Sequence, residues 1–371
     1  HASGVIIFDK NYVNHNCMMK APNGQPTTQW SMDDSSYCGG LKFDYLTISN
    51  LDSMRLCMDL LVNHKYIEWK GSLKETYNAY FHPDVIDYET VEMWKMAEEL
   101  EIINLFQFQT QVGGQAIKKI KPRSLIELGV ANSIMRLVAG EDATEQPIDT
   151  YVRYKNNIEE WYSCMRDKYL LTEEEIAIAE KYLKLVCGMA TMQEEVMKIV
   201  MDEKTSNFNM KDANYLRKSI AKKKKKLQAE AKEKFYKDGL ANGTSENLLN
   251  YIWDECIKPQ LGYSFSLPHV LGYSTIAVQE MNMAYHFPVI LWNVANLIVD
   301  SGSNEDNEDN KATKYGKVAS AIANIKDKTN ISLPLINEAE FGFKPDIENN
   351  RIIFGFKGLC GVGDDIAKAI I

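Results

Sequence analysis

The spacing of hydrophobic positions changes character near residue 50. Before it, Val5-Ile6-Ile7-Phe8 and Leu41-Lys42-Phe43-Asp44-Tyr45-Leu46 are short β-prone runs, separated by turn residues around Pro22-Asn23-Gly24, and both predict strands. After it, Leu51, Met54, Met58 and Leu61 recur at the spacing of one helical face. Helical periodicity then dominates 90–103, 111–121, 124–138, 156–167, 172–200, 210–237, 244–257 and 269–299, and resumes at about 311–326. The stretch 301–310 is polar and acidic and predicts a connecting loop. Leu333-Pro334-Leu335-Ile336-Asn337 and Arg351-Ile352-Ile353-Phe354-Gly355-Phe356 predict extended chain, and Gly361-Val362-Gly363 precedes a final helix from Asp364. The fold class that follows is α+β, mostly α, and no repeat of fixed period is visible.

A chain of 371 residues and 42.3 kDa is long enough for two or three domains. Its 45% hydrophobic and 25% charged residues are ordinary for a soluble globular protein. A net charge of -9 gives no overall positive field for nucleic acid, so any such contact must come from local patches. Seven cysteines, odd in number and without C-x-x-C spacing, read as reduced thiols of a cytoplasmic protein, mostly filling core. Six histidines without H-x-x-x-H spacing argue against a structural zinc site. No apolar run is long enough to predict a membrane span, and no signal peptide is visible. The opening His1-Ala2-Ser3-Gly4-Val5, without methionine, reads as the middle of a strand-forming region and hence as a fragment.

In a strand over 41–46, Leu41, Phe43 and Tyr45 share one face and Lys42 and Asp44 the other. A carboxylate able to hold a divalent cation beside an ammonium able to hold a phosphate suits phosphoryl transfer; a polar pair on a wet face is the plainer alternative. The run Tyr215-Leu216-Arg217-Lys218-Ser219-Ile220-Ala221 leads into five lysines, and one helix would line up Lys211, Lys218, Lys222 and Lys225. Such a stripe can grip a triphosphate or a nucleic-acid backbone, or can be a solvated face balanced by Glu230 and Glu233.

In Gly262-Tyr263-Ser264-Phe265-Ser266-Leu267-Pro268-His269-Val270-Leu271-Gly272-Tyr273, Ser266 and Pro268 suit a helix start. His269 and Tyr273 then lie four apart, placed to stack on a base, or else to serve as a capped histidine and a core tyrosine. Gly361 and Gly363 can let backbone N–H groups approach a phosphate, or form a plain turn. Lys118, Lys119, Lys121 and Arg123 follow Phe106-Gln107-Phe108, and a solvated turn explains them equally well. Glu194 and Glu195, neighbours about 100° apart on a helix, make a poor metal pair. No nucleophile–base arrangement, P-loop or dinucleotide fingerprint is recognisable.

Taken in order, these segments resemble bacterial replicative DNA polymerase III alpha subunits, the C family. His1-Ala2-Ser3-Gly4-Val5 is similar to the family's H-A-G-G-V, and Leu41 to Leu46 to V-K-F-D-F-L. Leu105-Phe106-Gln107-Phe108 is similar to V-F-Q-F/L, Ile120-Lys121-Pro122 to L-K/Q-P, and Gln193-Glu194-Glu195-Val196-Met197 to Q-E-Q-V-M. Leu216 to Lys223 is similar to L-R-R-A-M-G-K-K, Gly262 to Tyr273 to G-Y-G-F-N-K-S-H-A-A-A-Y, and Phe354 to Gly363 to F-G-L-G-A-I-K-G-V-G. The resemblance runs over nearly the whole chain.

The resemblance implies template-directed DNA synthesis with two Mg2+ ions. Asp44 would be the third metal-binding aspartate of the palm, and Lys42 the palm lysine near the incoming triphosphate. Arg217, Lys218 and Lys222 would hold the triphosphate, His269 and Tyr273 would line the nascent base pair, and Gly361 and Gly363 would touch duplex DNA. It divides the chain into the end of a palm (1–50), helical fingers (51–330) and the start of a DNA- and clamp-binding region with a helix-hairpin-helix (331–371). Primer–template DNA, dNTP and a sliding clamp are the implied partners.

The departures are specific. The family's other two catalytic aspartates precede its H-A-G-G-V segment, so this polypeptide alone is not expected to polymerise. Ser266-Leu267-Pro268 stands for N-K-S, Lys218 for the second arginine of L-R-R, and R-P-G-P-L is absent near Arg136. This divergence suggests a phage or mobile element. A non-catalytic DNA-binding or accessory protein that retains the fingers is the alternative, and a helical interaction protein with merely solvated basic patches is a third.

Overall fold

The computed structural model describes residues 4–11, 16–22, 24–44, 48–137, 145–221, 225–263, 265–303 and 313–371. The chain divides into two compact units, His1–Asp52 and Ser53–Ile371. In the first, strand Gly4–Ile7 pairs antiparallel with Leu41–Asp44, and Ile6 stands opposite Lys42. Val5 faces Phe43 and Ile7 faces Leu41 across the ribbon. The alternation of side chains puts these four on one face, where each stays 40% or more exposed. A second antiparallel pair, Met18–Lys20 with Pro26–Thr28, turns through Gly24 at φ 84°. The short helix Met32–Tyr37 starts at Ser31, whose Oγ accepts the Asp34 N–H at 3.2 Å. Gly40 leads into strand Leu41–Asp44, and a Cβ there would lie 2.4 Å from the Phe8 ring. The last part of the strand expected over 41–46, and most of the acidic loop over 301–310, lie outside the described residues.

The second unit is helical, with a small sheet near its end. Its core is built around the fully buried Phe81, Trp94, Tyr151, Trp161, Phe235, Tyr251 and Trp292. Helix Leu125–Ile134 packs on helix Leu267–His286, where Gly129 permits the close crossing; a Cβ there would stand 3.0 Å from Val270 Cγ1. The sheet pairs Asn330–Ser332 parallel with Arg351–Ile353, which pairs antiparallel with Lys344–Asp346. The extended chain expected over 333–337 is therefore displaced. The strand stops at Ser332, and Pro334, which has no N–H to give a ladder, follows within a turn.

Several expected helices are broken. The period over 172–200 becomes helices Glu173–Leu183 and Gln193–Val200, parted at Cys187 and Gly188 with φ 49° and 81°. Gly188 lies against the Trp161 indole, and a Cβ there would sit 2.5 Å from the ring. The period over 269–299 becomes Leu267–His286 and Val289–Ser301, with Pro288 between them. That over 210–237 becomes Met210–Ala221 and Lys225–Ala241. The cysteines are all unpaired; Cys57 and Cys256 are buried in the core, Cys164 and Cys187 pack against it, and Cys17, Cys38 and Cys360 are exposed. No helix among the described residues is long and apolar enough to cross a membrane.

Candidate nucleotide and nucleic-acid interface

Helix Met210–Ala221 buries Ala213, Leu216, Ser219 and Ile220. Lys211 and Lys218 are exposed. Lys222 lies outside the described residues, and Lys225 opens the following helix. Among the described residues, Lys225 therefore does not share a helix with Lys211 and Lys218, and the expected stripe of four lysines is not seen on one helix. Arg217 is half-buried and clamped by neutral oxygens. Its Nε and Nη2 donate to Asn214 Oδ1 at 2.9 and 2.8 Å, and its Nη1 to Gln193 Oε1 at 3.0 Å. Among the described residues no carboxylate pairs with it, so the guanidinium is oriented without being neutralised.

Gln193 opens helix Gln193–Val200, and its N–H donates to Phe265 O at 2.9 Å beside the parallel bridge from Met192 to Phe265. Glu194 accepts the Leu267 N–H at 2.7 Å and the Ser266 hydroxyl at 3.3 Å. It thereby caps helix Leu267–His286, at which Ser266 itself makes no capping bond. Glu195 bends back to accept the N–H groups of Thr191 and Met192 at 2.7 and 2.9 Å. Enclosure of its carboxyl group, with Glu194 nearby, outweighs these bonds and pushes its pKa up to about 7. The Gly262 N–H closes the arrangement on Ile220 O at 2.9 Å. Residues 193–194 thus tie the Arg217 guanidinium to the start of the His269 helix.

On that helix the His269 and Tyr273 rings lie 3.9 Å apart, as their spacing predicts. Phe265 meets His269 edge-on at 5.0 Å, Tyr263 lies 5.7 Å from Phe265, and Phe106 meets Tyr273 at 5.0 Å. The Arg136 guanidinium stands over Phe265 at 4.8 Å and over Tyr263 at 5.9 Å, and donates to Gln107 Oε1 at 2.7 Å. Partial burial, and then the charge of Arg136, lower the His269 pKa from 6.5, which favours the neutral imidazole at pH 7. Phe106 is fixed by its N–H, which donates to the buried Glu280 at 2.7 Å.

Lys42 is exposed in the middle of its strand; Asp44 closes the strand, and its side chain lies outside the described residues. Among the described residues no group of three or more His, Cys, Asp or Glu could hold a metal ion. The side chains described here therefore do not fit a complete magnesium site, and no step is derived through one. Gly361 takes φ 84° and Gly363 stands at the N-cap of Asp364–Ile370, both uncrowded. That helix has only seven residues, with Asp364 and Asp365 in its first turn and Lys357 paired to Asp364. A large cleft of about 1000 Å³ contains none of these residues, and its charges include the mutually paired Lys168 and Glu255 and Arg153 with Glu145 and Glu160.

Residues 61–243 match the bacterial DNA polymerase III alpha subunit finger domain, and residues 1–47 match the bacterial DNA polymerase III alpha NTPase domain. The chain belongs to the bacterial DNA polymerase III alpha family. It is 53% identical over 377 residues to the probable DNA polymerase YorL of Bacillus subtilis, covering 100% of this chain and 29% of that protein. A DNA-directed DNA polymerase of Bacillus phage SPbeta matches with the same identity and coverage. The DNA polymerase III subunit alpha of Aquifex aeolicus is 26% identical over 371 residues, covering 100% of this chain and 28% of that protein. The chain thus spans less than a third of the length of the relatives it matches.

Of the residues just described, the finger-domain match of this DNA polymerase III alpha family member includes Arg136, Gln193, Glu194, Arg217 and Lys218, while His269 and Tyr273 lie beyond it. Sequence reasoning singled out Arg217, His269 and Tyr273 but missed Arg136, Gln193, Glu194 and Tyr263 as members of one cluster. Glu194 carried a signal, an acid in the first turn of a helix, yet nothing in the sequence says that it serves a different helix. Arg136 carried none.

Proposed function

We propose that this chain is a segment of a template-directed DNA polymerase, which transfers a nucleotide from dNTP to a primer 3′ end. What supports the reading is the clamped, unneutralised Arg217 joined through Gln193 and Glu194 to the helix that carries His269 and Tyr273. A fixed guanidinium without a carboxylate partner among the described residues suits the charge of a triphosphate, exposed Lys218 adds to it, and Lys222 is assigned the same role. The His269 and Tyr273 rings offer a surface for the nascent base pair.

In this reading residues 1–50 end a palm, 51–330 are fingers, and 331–371 begin a DNA- and clamp-binding region whose Gly361–Gly363 turn touches duplex DNA. Lys42 faces the triphosphate, and Asp44 supplies one carboxylate of a divalent-metal site, Mg2+ in the cell. The rest of that site's ligands belong to the longer polypeptide. The protein works in the cytoplasm on primer–template DNA and dNTP, with a sliding clamp as processivity partner. The test is D44N in the full-length polypeptide. Primer extension is expected to fall by several orders of magnitude, on the order of 10³ or more, with DNA affinity near that of the parent. Unchanged extension would remove the metal-ligand role. A parent that binds DNA without extending a primer would instead favour the accessory-protein reading.

A further inference from the structure

Arg136 is a charged group of the second unit to which the proposed function gives no role. Its side chain is only partly exposed; among the described residues its Nε is buried without a hydrogen-bond partner, and its one side-chain hydrogen bond goes to the neutral Gln107. Gln107 holds its place from a left-handed backbone conformation, φ 69°, directly after Phe106. Among the described residues no carboxylate pairs with Arg136. A half-buried arginine normally has such a partner, because desolvated charge is costly alone. Here the guanidinium is held by aromatic faces instead. Phe265 beneath it is 8% exposed, whereas Tyr263 is 41% exposed and His269 is also open. One net positive charge beside open stacking rings has the composition of a site for single-stranded nucleic acid, in which each nucleotide brings one phosphate charge and one base face. A triphosphate, with several charges, is better matched by the Arg217 and Lys218 helix.

We propose that Arg136 and Tyr263 form a contact for the single-stranded template, with the guanidinium on a backbone phosphate and the phenol ring under the adjoining base. The inference rests on the polymerase reading and adds a residue pair to it. The neighbouring His269 extends the stacking surface without adding a second charge. Arg136 is anchored on helix Leu125–Ile134 by its position just past that helix, and Tyr263 by the turn in which Gly262 bonds Ile220. Both anchors belong to the packed body of the second unit, so the contact is set before DNA arrives.

The test measures binding of two DNAs, a primer–template with a 5′ single-stranded overhang and a blunt duplex, to the full-length polypeptide and its R136Q, R136K and Y263A variants across a salt series. R136Q is expected to weaken overhang binding about tenfold and to reduce the magnitude of the slope of log K against log salt by about 0.7, the release from one single-strand phosphate. R136K is expected to keep that slope. Y263A is expected to weaken overhang binding while leaving the slope unchanged. Blunt-duplex affinity is expected to stay at the parental value in all three. Equal losses on both DNAs, or unchanged overhang binding in R136Q and Y263A, would each overturn the assignment. Failure of the parent to bind either DNA would overturn the polymerase reading itself, which separates the two.

Discussion

Glu195 illustrates how one enclosed side chain can set a pH response. Its folded pKa of about 7 lies above the ordinary 4.5, so the folded protein holds this proton more tightly than the unfolded chain. The resulting stabilisation is fully present below about pH 4.5 and is lost as pH rises through 7. Glu194, which is like-charged, and Lys198, which opposes the shift, are its charged neighbours. The side chain keeps some exposure, so a loss on the order of 2 kcal/mol is the scale to expect. E195Q can still accept the Thr191 and Met192 N–H groups but cannot ionise. Thermal melting from pH 5 to pH 8 should show the parent falling relative to E195Q; parallel curves would contradict this account. The same helix end holds Gln193 against Arg217 and Glu194 against Leu267, so ionisation of Glu195 adds charge next to both contacts.

At the scale of elements, the breaks in the helices bring the chemistry together. Were 172–200 one helix, Gln193 would continue its axis instead of opening a new helix beside Phe265. The turn through Cys187 and Gly188 makes that redirection, and it needs both the left-handed φ and the bare α-carbon against Trp161. Gly188→Ala is expected to cost about 3 kcal/mol, combining backbone strain with overpacking of a buried indole. Chemical denaturation measures it, and a loss below about 0.5 kcal/mol would mean that the turn is not so constrained.

Gly188 also shows where the sequence was legible. The hydrophobic period located most helices because packing on one face dictates it, and of the two residues read as a helix start, Pro268 marked it through chain-local chemistry while Ser266 makes no capping bond. The turn at Gly188 depends on Trp161, 27 residues earlier and on another element, and no local signal carries that contact. The split at Pro288 could have been read directly, since proline inside a helical period marks a break. The cluster was legible in the same measure. His269 and Tyr273 met through i, i+4 spacing, whereas Arg136 joins Tyr263 across 127 residues of chain.

Across the whole molecule, charge is distributed against its average. A net charge of -9 repels DNA at long range, while Arg136, Arg217 and Lys218 offer positive charge not matched to a carboxylate among the described residues. Binding to nucleic acid should therefore rest on a few contacts, and salt should titrate those contacts directly.

The central claim is that the Arg217 helix grips the triphosphate, and steady-state primer extension with dNTP titration in the full-length polypeptide tests it most directly. For R217A and K218A the account predicts an apparent dNTP KM raised about tenfold or more, at melting temperatures within about 2 °C of the parent for the exposed K218A. A parental KM in both variants, with R217A merely melting earlier, would contradict it and make this helix a structural support alone.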